Sequence, residues 1–569
     1  MGDDLSELAG QNQEGTGGVA VVVHADVLTR RPAQQPSLVE AVAEEPDVMP
    51  PLCVNPGVRR PAIAGCDAGG DVRQLVYVEY FYLIDGVTID RFRPCVQAIR
   101  ERLPHKERVS SPPHPPTVAV VGGGCSGVLA AVHLLTHSDG RCRVVLIERD
   151  AELGGGVAYG TDAPWHMLNA PARAMSAFPG DAHDFTRWAA AVQLTATPNS
   201  FLPRRLYRLY LQATLAGAEQ ESPSPLFRLR ARVTAVHPRT HGVIVGLDDG
   251  GHVEADRAVL ALGNLPPADP HPALARAGPR YVRDPWAPRA LAGIDHDEPV
   301  LLVGSGLTAV DVALTLARRG HRGPIDAVSR HGLLPRRHAP WPQPPTPAPA
   351  VRPRPGLTTR ALLRAVVQAV RDAEENGDDW RPVIDGLRPV TPALWCSLSE
   401  RERRRFLRRA ARLWEVHRHR MAPAVASSVD ALIAEGRLVV RSGAVESVAV
   451  DAGALRVSLG GAGSRIVDLR VGHVVNCTGP STNVAATSDP LLRSLLASGA
   501  ARSDPLGLGF DVSDDGSLID ADGTPSPVLS TLGPLRRGRL WETTAVPEIR
   551  DQACAMATRF VGERRSAAV

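Results

Sequence analysis

Lysine is almost absent from this chain of 569 residues, because Lys106 is the only lysine among 64 lysines and arginines. With 61 acidic residues the formal net charge is only +3. The total charge therefore does not indicate the strong positive electrostatic field that is typical of nucleic-acid-binding proteins. We attribute the arginine usage to genome composition, so each arginine is judged by its own surroundings.

Paired cysteines and long apolar runs are also missing. The eight cysteines form no C-x-x-C pair, which argues against a structural zinc site and against the dithiol of a disulfide reductase. No apolar run approaches the roughly 20 residues of a membrane span, and no basic and apolar leader follows Met1. We therefore expect a cytoplasmic protein with neither a membrane nor a nucleic-acid partner.

A strand, a glycine-rich turn and a helix are predicted from residue 117 onward. Thr117 to Val121 is β-branched, and Gly122, Gly124 and Gly127 follow at the G-x-G-x-x-G spacing. Gly122 allows the sharp turn, and Gly124 lets the backbone approach a pyrophosphate at the helix N-terminus. Gly127 lets the helix pack closely on the strand.

The acid that completes this motif follows a second predicted strand. Arg143 to Ile147 ends at Glu148, 21 residues after Gly127, where a carboxylate accepts from a ribose 2′-hydroxyl. Cys125 and Ser126 of the turn join the expected contacts, Cys125 as a small packing residue. Together these elements predict a dinucleotide-binding domain.

The chain then repeats this plan. Val300 to Val303 is a strand, and a second strand, Ile325 to Val328, ends in Ser329 and Arg330 instead of an acid. A hydroxyl and a guanidinium suit a 2′-phosphate, so we expect NADPH here, with a merely solvated Arg330 as the alternative. The G-x-G-x-x-A turn between them supplies the expected contacts Gly304, Gly306, Thr308 and Ala309.

From about Thr117 to its end, the chain resembles the FAD-dependent urate hydroxylases and nitrosuccinate-forming aspartate N-monooxygenases, which are two-dinucleotide flavin monooxygenases. The F-x-G-x-x-x-H-x-x-x-W fingerprint of Baeyer-Villiger enzymes is missing. The resemblance rests on seven motifs: Gly154-Gly-Gly-Val-Ala-Tyr-Gly, His166-Met-Leu-Asn169-Ala-Pro, Phe201-Leu-Pro-Arg, Gly304-Ser-Gly-Leu-Thr-Ala, Ser329-Arg-His-Gly, Trp414 to Pro423, and Trp541 to Ala553.

The resemblance implies that NADPH reduces FAD and that oxygen then forms a flavin hydroperoxide, which oxygenates a small molecule. L-Aspartate, converted to nitrosuccinate, is the favoured substrate because several arginines can clamp its carboxylates. Two alternatives stay open: a hydroxylase of a urate-like heterocycle and a flavin-binding protein without turnover.

Two segments are expected to form the substrate side of the site. The loop Gly154 to Trp188 carries Trp165, His166, Asn169 and Arg173, which would hold the isoalloxazine or gate the substrate unless they are ordinary loop packing. Arg418 and Arg420 concentrate anion donors before Pro423. Asn169, Arg173, Arg418 and Arg420 are the expected catalytic residues.

The C-terminal segment is expected to return to the first unit. Pro547 opens a helix whose N-terminal amides would face the flavin pyrimidine ring. The remaining expected cofactor contacts are Val233, Thr478, Gly479, Pro547, Glu548 and Ile549.

The predicted fold class is α/β, with two nested Rossmann-like dinucleotide-binding domains, for FAD and NADPH, and a helical insert. A β-α element at Leu75 to Leu103 is either an appended module or an arm against the main body or a partner subunit, which leaves a homo-oligomer open. The expected boundaries are 1–116 for a largely disordered extension and linker, 117–283 for the first part of the FAD domain, 284–480 for the NADPH domain with its insert at about 357–435, and 481–569 for the rest of the FAD domain.

Overall fold

A computed structural model of the protein describes residues 115–340, 345–346, 352–451, 453–461 and 466–567. The β-α element predicted at Leu75 to Leu103 lies outside the described residues, as does almost all of the 1–116 extension. Among the helices that are described, none is long and apolar enough to cross a membrane.

Seventeen strands and fourteen α-helices follow one another in the described chain. The strands are β1 Thr117–Val121, β2 Arg143–Glu148, β3 Leu226–Arg230, β4 Val233–Arg239, β5 Gly242–Leu247, β6 His252–Ala255, β7 Arg257–Leu260, β8 Tyr281–Val282, β9 Val300–Val303, β10 Ile325–Ser329, β11 Leu438–Ser442, β12 Ala444–Asp451, β13 Ala454–Gly460, β14 Val467–Val471, β15 His473–Asn476, β16 Ser517–Ile519 and β17 Pro525–Thr531. The helices are α1 Cys125–Ser138, α2 Gly156–Tyr159, α3 Asp184–Val192, α4 Arg204–Glu221, α5 Leu307–Arg318, α6 Thr359–Glu375, α7 Trp380–Gly386, α8 Thr391–Ser397, α9 Glu400–Arg409, α10 Ala411–Arg418, α11 Pro423–Ala434, α12 Pro490–Ala497, α13 Arg537–Leu540 and α14 Val546–Ala567.

The first sheet is built around β1, whose five residues are all buried. Its strand order is β16-β17-β7-β1-β2-β3, and every pair is parallel except β16 with β17. A β-branched run buried on both faces is typical of a central parallel strand. Helices α1 and α14 pack together in the core beside this sheet. The C-terminal strand β17 therefore completes a sheet that the first unit begins.

The second sheet is wholly parallel, with the order β11-β10-β9-β15-β8 and β9 at its centre. Helix α5 follows β9 through the second glycine turn and begins at Leu307, directly after Gly306. Two such units, each a parallel sheet with a glycine turn after its central strand, confirm the predicted α/β Rossmann-like fold class.

Alternating apolar residues predict two antiparallel meanders, at Arg228 to Leu262 and at Leu438 to Leu469, and both predictions are wrong at their start. The first segment begins within β3, which pairs with β2, and the second begins with β11, which pairs with β10, both in parallel. Among the described strands, only β4-β5-β6 and β12-β13-β14 form wholly antiparallel sheets. The physical reason is that alternation of apolar residues predicts a strand but does not choose its partner.

The helical insert comprises α6 to α11. Helix α9 begins at the cap Ser399, whose hydroxyl accepts from the Glu402 amide, and Glu400 pairs with Arg404 one turn later on the exposed face. The insert is joined to the C-terminal segment by Trp395, which stacks on Trp541 at 4.9 Å between ring centroids. This contact packs the insert against the C-terminal segment.

Candidate functional site

One cavity of about 1580 Å³ connects the first glycine turn, the loop 155–175, helix α5, the insert and the start of α14. Its walls come from both parallel units and from the insert. Crevices at the carboxyl ends of parallel strands are where such folds bind ligands. We therefore take this cavity as the candidate site.

The first glycine turn has the shape that a pyrophosphate requires. Gly122 has a φ of +102°, and a Cβ there would stand 2.5 Å from the Ala261 carbonyl oxygen, so only glycine fits. Gly124 is the N-cap of α1, and no side chain caps the amides behind it. A Cβ on Gly124 would make only ordinary contact with Gly156, at 3.5 Å, and Gly124 lies on the cavity wall. The turn thus fits an anionic dinucleotide group.

Glu148 is held at the end of β2 and lines the same cavity. Its Oε2 accepts from the Gly123 amide at 2.5 Å and its Oε1 from the Asp150 amide at 3.0 Å. Both oxygens keep a lone pair free, because a carboxylate offers about four acceptor positions. The residue therefore fits a ribose hydroxyl, as the sequence predicts for FAD.

The loop 155–175 is tied to α5 through His166. Its Nδ1 lies 2.7 Å from the Thr161 hydroxyl and its Nε2 lies 2.8 Å from the Thr315 hydroxyl. Burial lowers the pKa of His166, so the ring stays neutral at neutral pH. Trp165 donates from Nε1 to the same Thr315 at 3.1 Å and does not line the cavity. His166 lines the wall, whereas Trp165 anchors the loop from behind.

The expected catalytic arginines converge at the insert, but two of them already have partners. Arg420, 3% exposed, pairs with Asp385, and Arg418 lies 3.6 Å from Glu542. Arg173 donates to the Asn199 side chain, and among the described residues it pairs with no carboxylate. Of these three arginines, Arg173 is therefore the one whose charge is not offset by a carboxylate partner in the described chain.

Arg388 and Arg381 lie beside these arginines, and no motif in the sequence predicts either of them. Arg388 donates to Glu548 through Nε at 2.5 Å and Nη2 at 2.6 Å, and Arg381 pairs with Asp379 at 2.7 Å. Burial tends to raise the pKa of Glu548, but the bidentate bond from Arg388 holds it below the ordinary value. Glu548 thus anchors α14 and does not line the cavity. The sequence carries no signal that would place Arg388 at the cavity, because its position depends on where the insert packs.

The second glycine turn repeats the first but opens beside the insert. Gly304 has a φ of +119°, and Gly306 is an N-cap without a side-chain bond. The Arg330 side chain is exposed and, within the described chain, makes no hydrogen bond or ion pair. Arg412, which sequence reasoning missed, places Nη1 3.9 Å from the position of a Gly306 Cβ. Exposed Arg330 and nearby Arg412 fit a phosphorylated nucleotide.

The cavity gathers some predicted residues and leaves others out. The predicted residues that do not line it are Gly127, Trp165, Gly304, Gly306, Ala309, Ser329, Arg330, Thr478 and Glu548. On its walls lie Gly122, Gly124, Cys125, Ser126, Glu148, His166, Asn169, Arg173, Val233, Thr308, Arg418, Arg420, Gly479, Pro547 and Ile549.

Four of the described cysteines are free thiols, Cys125, Cys396, Cys477 and Cys554. Burial raises the pKa of Cys125 to about 12, and burial also raises that of Cys477. Both remain protonated at neutral pH, which agrees with packing roles.

Comparisons with known proteins agree with this architecture. Residues 119–265 match a family described as FAD-NAD(P)-binding. No curated protein matches the chain. Ornithine hydroxylase from Pseudomonas aeruginosa is similar in structure, with a TM-score of 0.54 and 14% identity over 79% of this chain and 99% of its own.

Two further solved structures give the same result. Ornithine N-hydroxylase from Kutzneria sp. 744, with reduced FAD, NADP⁺ and L-ornithine, has a TM-score of 0.54 and 15% identity over 80% of this chain and all of its own. Cadaverine monooxygenase from Erwinia amylovora, bound to FAD, has a TM-score of 0.52 and 13% identity over 78% of this chain and 94% of its own. At such low identities these likenesses establish the fold.

Proposed function

We propose that the chain is an FAD- and NADPH-dependent monooxygenase that N-oxygenates a small amine with molecular oxygen. The observation that carries this is the continuity of the cavity. It joins the first glycine turn at Gly124, the second unit at Thr308 and the arginine cluster at Arg420. A bound flavin would thereby meet both a second nucleotide and a charged substrate.

The residues divide these tasks between them. The amides behind Gly124 and the Glu148 carboxylate would hold FAD, while Arg330 and Arg412 would hold the phosphates of NADPH. The flavin, once reduced, supplies the activated oxygen. The chain's own work would be to position the amine and to limit access of water, and the insert would contribute through the part of the cavity wall that it forms.

The similar structures support an amine as substrate. Proteins of the same fold hydroxylate ornithine or act on cadaverine. Without a C-x-x-C pair, this chain has no dithiol of that kind to take electrons from a flavin. The similar structures support transfer of oxygen to a small molecule instead.

Charge at the insert supports L-aspartate, which would yield nitrosuccinate. Five arginines meet four carboxylates there, which leaves one positive charge. The set is Arg173, Arg381, Arg388, Arg418 and Arg420 with Asp379, Asp385, Glu542 and Glu548. Aspartate carries one net negative charge at neutral pH, whereas ornithine and cadaverine are net positive. Burial and then the charge of Arg420 lower the pKa of His338 to about 4, so this histidine adds no charge.

The experiment is to incubate the purified FAD-loaded protein with NADPH, oxygen and one substrate at a time. We expect aspartate to stimulate NADPH oxidation and to give nitrosuccinate or the nitrite derived from it. Stimulation by ornithine or cadaverine alone would support an N-oxygenase but contradict aspartate as its substrate. Stimulation by urate alone would favour the heterocycle hydroxylase. No oxidation of NADPH by a protein that binds both nucleotides would refute the monooxygenase.

A substitution tests how aspartate is held. Arg173→Gln should raise the KM for aspartate roughly 10- to 100-fold, because a hydrogen bond to a charged group contributes about 1.5 to 3 kcal/mol. The matched control is Arg322→Gln, since Arg322 forms an exposed ion pair with Asp297 away from the cavity. An unchanged KM in Arg173→Gln would remove this residue from the substrate site.

A further inference from the structure

Helices α1 and α14 carry a group of metal-ligating side chains away from the cavity. His133 and His137 lie one turn apart on α1, and Cys554 faces them from α14. One ligand atom from each lies within 4.8 Å of the others. None of the three lines the cavity, so the proposed monooxygenase does not use them.

Each histidine has one nitrogen fixed by a backbone carbonyl. His133 Nε2 donates to the Ala177 oxygen at 3.0 Å, and His137 Nδ1 donates to the His133 oxygen at 2.8 Å. These bonds set the tautomers and leave a lone pair on His133 Nδ1 and on His137 Nε2. Histidines that bind metals are oriented by this same kind of outer bond.

His133 is the observation that points to a ligand. The residue is 1% exposed, and among the described atoms its Nδ1 has no hydrogen-bond partner. A buried polar atom without a partner costs about 1 to 3 kcal/mol in general, and so calls for an explanation. Burial lowers the pKa of this ring to about 4, so its free nitrogen is an acceptor at neutral pH and not a donor.

The spacing also suits a tetrahedral cation. Zinc, with Zn–N bonds of about 2.0 Å and Zn–S bonds of about 2.3 Å, holds its ligand atoms roughly 3.3 to 3.6 Å apart. His137 Nε2 lies 3.7 Å from Cys554 Sγ, where the thiol donates to the ring nitrogen. A bound ion would replace this hydrogen bond and release the thiol proton to solvent.

We propose that His133, His137 and Cys554 form a binding site for a soft divalent cation of the zinc type, with the fourth position open to water. The two nitrogens and the thiolate match the ligand preference of zinc. The ion would bridge α1 and α14, whose N-terminal ends both reach the cavity. Its role would be to hold these helices together.

The test uses the full-length protein without a histidine tag, dialysed against a chelator and titrated with Zn²⁺ in competition with a chromophoric chelator. We expect one tight site per chain in the wild type. Cys554→Ser and His137→Ala should each weaken binding at least about tenfold, since even outer partners of a metal site contribute that much. Zn²⁺ should raise the thermal midpoint of the wild type and not of Cys554→Ser.

Cys396→Ser is the matched control, because Cys396 is another half-buried free thiol but donates to the Arg539 carbonyl oxygen. It should bind zinc as the wild type does. Should His137→Ala fail to fold, Co²⁺ gives a second readout, as its thiolate charge-transfer band should appear in the wild type and vanish in Cys554→Ser. Equal zinc affinity in the wild type and Cys554→Ser would overturn the site.

Discussion

Replacing two glycines of the first turn should have different effects, one on FAD binding and the other on stability. Gly124 faces the open cavity, so Gly124→Val should fold and lose FAD. Gly127 packs against the turn, so Gly127→Ala should lose stability. The pair therefore separates the ligand-binding role of the turn from its packing role.

The magnitudes follow from the space around each Cβ. At Gly127 a Cβ would lie 1.7 Å from the Gly122 oxygen, and this oxygen is backbone. Overpacking costs about 1 to 3 kcal/mol, and a contact this short with a backbone atom belongs at the upper end; alanine gains about 1 kcal/mol of helix propensity, so we expect a net loss of at least about 2 kcal/mol. At Gly124 the φ of −68° suits any residue, and valine at an N-cap costs about 1 kcal/mol. Blocking two bonds to the pyrophosphate should weaken FAD binding roughly 10²- to 10⁴-fold.

The assay measures flavin absorbance per chain after gel filtration and the thermal midpoint of the FAD-free forms, so that ligand binding does not mask stability. Gly217→Ala is the control, since Gly217 lies in helix α4 with nothing within 4 Å of its Cβ position. That variant should be as stable as the wild type or slightly more stable. Stoichiometric FAD in a folded Gly124→Val would show that the pyrophosphate lies elsewhere. An unchanged midpoint in Gly127→Ala would refute the packing argument.

Three other predictions concern single side chains. Arg330→Ala should raise the KM for NADPH roughly 10- to 100-fold and leave that for NADH nearly unchanged, and equal losses for both would refute a phosphate contact. Arg388→Ala should destabilise the fold by about 3 kcal/mol in denaturant unfolding, because Glu548 is left unpaired. The pKa of Glu548 is lowered, so this difference should be full above about pH 4.5 and shrink as pH falls through the folded-state pKa; a pH-independent difference would contradict it. Cys125→Ala should keep the rate of NADPH oxidation within about twofold, since a thiol with a pKa of about 12 is not a nucleophile at neutral pH, and loss of turnover in an FAD-loaded variant would refute this.

Local signals in the sequence predicted the two nucleotide units well. β1 and β9 have the predicted bounds, and Glu148 ends β2 as expected. These features follow from short-range rules, because a buried strand, a positive φ and a helix N-cap each need particular residues within a few positions. The partners of β3 and β11 were predicted wrongly, since pairing depends on contacts between distant segments.

The charged part of the site was less predictable for a similar reason. Arg418 and Arg420 were found as a dense local pattern, but their partners Glu542 and Asp385 come from other segments. Arg412 follows the arginine-rich stretch of α9, whose pattern is typical of an exposed helix face, yet its guanidinium donates to the Leu333 carbonyl oxygen at 2.7 Å. A helix pattern shows which residues share a face and not what that face meets.

We therefore expect the insert to determine which substrate the protein accepts. Glycine turns, strands and an acid at the position of Glu148 are common to dinucleotide-binding domains of this fold, and a fold by itself implies no substrate. Asp385, Arg388 and Arg420 lie on the insert and line the cavity, and all three form ion pairs, Asp385 with Arg420 and Arg388 with Glu548. Substitutions that change substrate choice should accordingly concentrate at 379–388, at 418–420 and in Arg173, whereas substitutions in the glycine turns should affect every substrate alike.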